Sequence, residues 1–276
     1  MLSRRTLLAG SALTLLAGCS ATPSGPPPGP PAVPVPTGSS PHPLHDPVTV
    51  QRMRSAARGT DVDLVLITPE GVPASGLPVC LALHGRGAGA RTFLSLGVPE
   101  LLTAAVRAGT PPFAVAALDG DHYWVDVGGA DDPQRMLTDE VPGWLAARDL
   151  RPPAAVFGIS MGGFGALRFA RAHPDLKAVA TASAALFVSW PDARSRKVFA
   201  DEATWRAAEP LLHPDELHPG TLGVWCGESD PFLGADRKLV TAVSPKVSRF
   251  TPGKHDDAYW RGVLPEVLKF VGERLS

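Results

Sequence analysis

Several things are scarce in this sequence, and each scarcity excludes something. Its 276 residues hold three cysteines, too few for a disulfide framework. An excess of charge of either sign is missing: 26 Lys and Arg nearly cancel 27 Asp and Glu. That balance removes the electrostatic case for a nucleic-acid partner. No cluster of His, Cys and Glu has zinc-like spacing, so no metal is expected. Gly85, Gly87 and Gly89 lie close together, but they fit neither G-x-G-x-x-G nor a P-loop, and a nucleotide loop is dismissed. The apolar run from Thr6 to Ala17 is too short to span a bilayer as a stable helix. Proline and glycine, by contrast, are in surplus, at 30 and 28 residues.

Much of that proline sits in one place. Residues 20–47 contain 11 prolines with Ser and Gly between them and almost no bulky apolar side chains. Such a stretch cannot bury a core and reads as an extended tether over residues 19–47. Residues 1–18 before it read as an export signal. Arg4 and Arg5 form a basic start, and Ser3-Arg4-Arg5-Thr6-Leu7-Leu8 resembles a twin-arginine signal. Leu16-Ala17-Gly18-Cys19 resembles a bacterial lipobox, which makes Cys19 the expected lipidation site. The chain is thus expected to be exported, with a membrane as partner through an N-terminal lipid anchor on the outer face of the cytoplasmic membrane.

From residue 48 to 276 short apolar runs alternate with helical periodicity. Strands are predicted at Val48–Arg54, Asp61–Ile67, Val79–Leu83, Phe113–Leu118, Ala154–Phe157, Ala178–Ala182, Leu222–Cys226 and Val247–Phe250. The first two alternate and suit an antiparallel hairpin, whereas those from Val79 onward are nearly all apolar, as strands covered on both faces are. Helices are predicted at Val98–Arg107, Pro133–Arg148, Met161–Ala172, Gly234–Val243 and Asp257–Leu275. This alternation gives one α/β domain with a mostly parallel sheet. Residues 184–220 are expected to form a long, irregular excursion between two strands, rich in Trp, Pro, His and charge, of the kind that is usually functional or lid-like.

Gly158-Ile159-Ser160-Met161-Gly162 fits G-x-S-x-G, between a predicted strand and a predicted helix. A sharp strand-to-helix turn there lifts the serine hydroxyl clear of the sheet and tolerates only small flanking residues. Ser160 is therefore the candidate nucleophile, and it needs a base. His42 and His45 lie in the tether; His84, His122 and His173 precede Ser160 or end its helix; His213 and His218 lie in the excursion. His255 remains, between the last strand and the last helix. The acid belongs on the turn after the penultimate strand, where Cys226-Gly227-Glu228-Ser229-Asp230 offers Glu228 and Asp230, with Asp236 later. Asp230 is preferred because it can turn back toward His255. An oxyanion would be held by the backbone N–H groups of Met161, at the helix start, and Arg86, in Leu83-His84-Gly85-Arg86-Gly87.

These motifs resemble the esterase D and antigen 85-type branch of the α/β-hydrolase superfamily over roughly Asp61 to Val271. The likeness extends to Leu118-Asp119-Gly120 with Tyr123, Trp124 and Asp126, and to Asp139-Glu140-Val141-Pro142. It implies an eight-stranded α/β-hydrolase fold, no metal or organic cofactor, and cleavage of carboxylic esters or thioesters or transfer of acyl groups between hydroxyls. Gly162-Gly163 follows the general esterase pattern rather than that of the mycolyltransferases.

The expected substrate is a small-molecule or lipid ester, with Trp124, Phe187 and Trp190 as candidate walls of its pocket and Trp205 nearby. Asp119 and Asp126 are expected to fix loops. In the superfamily's strand order Cys80 and Cys226 stand three strands apart, about 14 Å, beyond the reach of a bridge, so two buried free thiols are expected. The leading function is an exported serine esterase. The alternatives are an acyltransferase to an envelope hydroxyl and a non-catalytic lipoprotein that binds envelope material.

Overall fold

A computed structural model of the chain describes residues 46–128 and 131–276. The expected signal, Cys19 and the tether up to residue 45 lie outside the described residues. An eight-stranded sheet runs through the centre: β1 (Val48–Ser55), β2 (Thr60–Ile67), β3 (Val79–Leu83), β4 (Ala114–Leu118), β5 (Pro153–Ile159), β6 (Ala178–Ala182), β7 (Leu222–Gly227) and β8 (Val247–Thr251), in the spatial order β1-β2-β4-β3-β5-β6-β7-β8. β2 is antiparallel to both neighbours and the pairs from β4 to β8 are parallel. Every residue of β3, β4, β6 and β7 is buried, whereas the edge strand β1 alternates, which matches two-sided cover in the middle and water at the rim.

The cover comes as two layers. On one face lie α1 (Thr92–Ser95), α2 (Val98–Arg107) and α9 (Asp257–Leu275), whose Phe93, Leu102 and Leu268 share a core with the sheet. On the other lie α4 (Val141–Ala146), α5 (Met161–Ala172), α6 (Trp190–Arg194), α7 (Glu202–Ala208) and α8 (Leu233–Val243), packed through residues such as Leu145, Phe164, Trp205 and Leu239. The helix predicted over Pro133–Arg148 is broken. A short turn, α3 (Pro133–Arg135), leads into a wide π turn at Met136–Glu140 before α4 begins. Pro142 has no N–H to donate to the preceding turn, and the Glu140 carboxylate reaches out of the helix to accept from the Ser55 hydroxyl at 2.6 Å and the Ala57 N–H at 2.8 Å. The excursion 184–220 is more regular than its composition suggested: α6 and α7 start at Ser189 and Asp201, whose side chains accept from the N–H groups of Asp192 and Thr204.

Parallel order has one consequence for function. The loops that leave β3, β4, β5, β6, β7 and β8 all emerge on one edge of the sheet, and the strand order reverses around β3 and β5. Open α/β sheets bind ligands at such a switch point.

Candidate active site

Ser160 stands on the turn between β5 and α5 with φ 57° and ψ −117°, a strained conformation that few residues other than glycine adopt. The two flanking glycines explain how the turn is reached. A Cβ at Gly158 would collide with the Gly162 carbonyl, and one at Gly162 with the Leu83 carbonyl of β3. Met161 opens α5, so its N–H is one of the first-turn donors that have no acceptor inside the helix, and it carries the positive end of the helix dipole.

His255 and Asp230 reach Ser160 from the next loops along the edge. His255 Nε2 lies 2.9 Å from Ser160 Oγ, and His255 Nδ1 lies 2.9 Å from Asp230 Oδ2. An ionised carboxylate can only accept, so Nδ1 carries the proton and Nε2 faces the serine hydroxyl as an acceptor. Asp230 Oδ1 accepts from the Phe232 N–H at 2.8 Å. Burial alone would raise the Asp230 carboxyl. Hydrogen bonds from His255 and the Phe232 N–H, with the nearby Ser183 hydroxyl adding to them, outweigh it and hold the group below the ordinary carboxylate range. Phe232 and Trp260 close on the imidazole from two sides, each with a ring centroid 5.2 Å away. The Trp260 indole N–H donates to Ser183 at 3.2 Å.

The rival carboxylates stand elsewhere. Glu228 is exposed. Asp256 caps α9 by accepting from the Tyr259 N–H at 3.0 Å. Asp236, in the first turn of α8, is fully buried; the Cys226 thiol and the Ala184 N–H approach it without reaching hydrogen-bond geometry. Burial pushes its carboxyl well above the usual range.

His84 is a buried structural imidazole. Its Nε2 accepts from the Gly120 N–H at 2.9 Å, so Nδ1 is the donor to the Gly85 carbonyl at 2.8 Å. Desolvation lowers its pKa and keeps it neutral. Gly85 passes close to Ser160, since a Cβ there would touch the serine Cβ at 3.4 Å. Arg86 follows and is exposed. The loop after β4 is held by Asp119, which accepts from the Ala90 N–H and the Asp63 N–H, both at 2.8 Å. Asp126 accepts from the Gly128 N–H at 2.7 Å.

A cleft of about 650 Å³ opens over Ser160 and His255, lined also by Gly85, Arg86, Tyr123, Arg196, Phe232 and Trp260. The three aromatics expected on its walls are not there. Trp124 is fully buried against Gly120 and Gly165, with its indole N–H donating to the His84 carbonyl at 3.3 Å. The cause is local: His122, Tyr123 and Trp124 all take positive φ, between 51° and 58°, which turns Trp124 inward, while Tyr123 lines the cleft. Phe187 is 2% exposed and walls a neighbouring hollow of about 400 Å³. Trp190 packs on Trp205 at 6.3 Å and lines neither space. The cleft residues that sequence reasoning passed over are Arg196, Phe232 and Trp260, which only the tertiary fold brings together. Among the described residues no group of three or more His, Cys, Asp or Glu is placed to hold a metal ion. Cys80 and Cys226 are free and buried, on strands three places apart.

Comparison with known proteins agrees with this architecture. Residues 55–271 match the family described as "Putative esterase". No curated protein matches the chain by sequence. Among solved structures, an S-formylglutathione hydrolase from Agrobacterium tumefaciens superposes with a TM-score of 0.69 at 17% identity, over 82% of this chain and 95% of its own. MPT51 of Mycobacterium tuberculosis gives 0.69 at 18%, over 84% and 100%. A ferulic acid esterase gives 0.66 at 19%, over 83% and 98%. These likenesses carry the fold, and the family match covers the whole sheet from the end of β1 together with the loop that bears each candidate residue. The chain belongs to this esterase family and carries the α/β-hydrolase fold.

Proposed function

We propose that the protein hydrolyses carboxylic esters through an acyl-enzyme on Ser160. The observation that carries this reading is the unbroken relay from Asp230 through His255 to Ser160, with both contacts at 2.9 Å. Ser160 Oγ attacks the ester carbonyl carbon as His255 Nε2 takes its proton. The carbonyl oxygen becomes an oxyanion, met by the N–H groups of Met161 and Arg86. Collapse of the tetrahedral species breaks the bond to the alcohol oxygen, to which His255 returns the proton. Water then repeats the sequence on the acyl-enzyme and releases the acid. Asp230 stays ionised throughout, holding Nδ1 protonated and stabilising the imidazolium. The open cleft beside the serine supports a small ester as substrate. The Leu16-Ala17-Gly18-Cys19 sequence supports export and a lipid anchor on Cys19; a Cys19→Ala chain found in the membrane fraction as abundantly as wild type would remove that part of the proposal.

The test of the chemistry is Ser160→Ala. Turnover of short 4-nitrophenyl esters and labelling by a fluorophosphonate probe are both expected to vanish, with an unchanged circular dichroism spectrum. Normal turnover in that variant ends the proposal.

A further inference from the structure

The cleft holds a positive charge that the protein itself does not answer. Arg196, just past α6, sits on the wall shared by the catalytic cleft and the hollow beside it; with Pro231 and Phe232 it lines both. Its guanidinium carbon stands 5.5 Å from the Phe187 ring centroid and 5.7 Å from that of Phe232, a geometry in which two aromatic faces fix its direction. Phe232 is the same ring that packs on His255. Arg196 Nε is sealed from solvent without an acceptor, and among the described residues no carboxylate lies within 4 Å of either Arg196 or Arg86. Residues 1–45, 129 and 130 contain no Asp or Glu, so the rest of the chain brings no acidic side chain either. Of the nearby acids, Asp257 also lines the cleft but faces Arg261, at 3.7 Å, and Asp192 accepts from the Ser189 hydroxyl at 2.6 Å. Tyr123 lines the same cleft as both arginines.

A guanidinium is weakly hydrated, planar and always charged, which suits it to bidentate contact with an oxyanion. Held against two rings and left without a carboxylate partner on the lining of the same cleft as Ser160, it is no part of a structural ion pair and is free to meet an anion. We propose that the ester this enzyme prefers carries an anionic group, a carboxylate in the simplest case, which docks on Arg196 with Arg86 adding to the field while its ester carbonyl lies at Ser160. This rests on the Ser160 reading above and adds the substrate class: hemiesters of dicarboxylic acids, or esters whose alcohol bears a carboxylate.

The experiment compares matched pairs. On the acyl side, 4-nitrophenyl hydrogen adipate is set against 4-nitrophenyl hexanoate, with spontaneous hydrolysis subtracted. On the alcohol side, 4-acetoxybenzoate is set against its methyl ester. In wild type kcat/KM is expected to favour the anionic member of at least one pair by about tenfold or more, the scale of a hydrogen bond to a charged group. That ratio is expected to fall by about tenfold in Arg196→Gln, to survive in large part in Arg196→Lys, and to shrink as ionic strength rises. Neutral esters favoured in both pairs, or a preference for the anion that Arg196→Gln leaves intact, overturns the inference. In either case, hydrolysis of the neutral esters that disappears in Ser160→Ala leaves the catalytic reading standing. Failure to turn over any of the four esters overturns both.

Discussion

Glu209 gives the strictest test of how the segment between β6 and β7 is held. It is fully buried, and its Oε2 accepts from the Phe187 N–H and the Trp205 indole N–H, each at 3.1 Å, while Oε1 accepts from the Leu211 N–H at 3.3 Å. Burial pushes the carboxyl from 4.5 up to about 7 despite those three donors. An acid whose folded pKa lies above its unfolded value binds its proton more tightly when folded. Its contribution to stability is therefore complete below about pH 4.5. It declines as pH rises from 4.5 toward 7, where only the unfolded carboxyl is ionised, and it levels off once both states are charged. The span between the two values corresponds to about 3 kcal/mol. Carboxylates whose pKa falls on folding, such as Asp63 and Asp230, pull in the opposite direction, so the effect must be read as a difference. Glu209→Gln removes the charge and keeps one acceptor oxygen, but it turns an amide N–H toward a backbone donor, at a cost of about 1–2 kcal/mol. Wild type is then the more stable protein at pH 4.5, and the order reverses by pH 8. Urea unfolding of both proteins at five pH values from 4.5 to 8.5 measures the difference. A gap that stays flat within about 0.5 kcal/mol across that range refutes the reasoning.

Other consequences can be checked separately. Asp230→Asn keeps the shape of the acid loop but allows the wrong imidazole tautomer, so kcat on 4-nitrophenyl esters is expected to fall by about 10⁴; a loss below tenfold would show that the carboxylate does not set the tautomer. Burial raises both Cys80 and Cys226 far above an ordinary thiol, so iodoacetamide at pH 8 is expected to spare both in the native protein and to alkylate both in urea. Rapid native labelling of either, located by peptide mass spectrometry, contradicts their placement.

What could be read from the sequence was whatever short-range sterics dictate. The turn at Ser160 announces itself because two carbonyls forbid side chains at Gly158 and Gly162, and that requirement has a fixed spacing. His255 could be found by elimination because parallel topology delivers every strand end to the same edge in a known order. Trp124 failed for the opposite reason. Its inward direction follows from three successive residues in the left-handed region, and nothing in the run His122-Tyr123-Trp124 signals this. The break in the Pro133–Arg148 helix did leave a mark, Pro142, although Glu140 decides it through contacts more than 80 residues away. The starts of α6 and α7 were missed, although Ser189 with Asp192 and Asp201 with Thr204 are cap pairs, because the composition of the segment resembled a loop. Arg196, Phe232 and Trp260 have no local signature at all, since their roles exist only where three loops converge.

The distance between acid and base is set by backbone rather than by the two side chains. β7 and β8 are paired through Gly227 and Thr251, and the ladder continues into the loops: the Glu228 N–H donates to the Thr251 carbonyl and the Ser229 N–H to the Gly253 carbonyl, both at 2.9 Å. The acid loop and the histidine loop are thus joined one residue before Asp230 and two before His255. Gly227 is what allows that closeness, because a Cβ there would stand 2.6 Å from the Gly253 carbonyl oxygen. Gly227→Ala is therefore expected to part the two loops and lower kcat/KM by 10²-fold or more, the order that a misplacement of about 1 Å costs, although Ser160, His255 and Asp230 all remain. Labelling by a fluorophosphonate should slow in parallel. The distant strands β2 and β4 should keep their hydrogen-exchange protection, which separates this outcome from global unfolding. An alanine variant with wild-type turnover would mean that side-chain contacts alone hold the imidazole in place, and the backbone account would have to be abandoned.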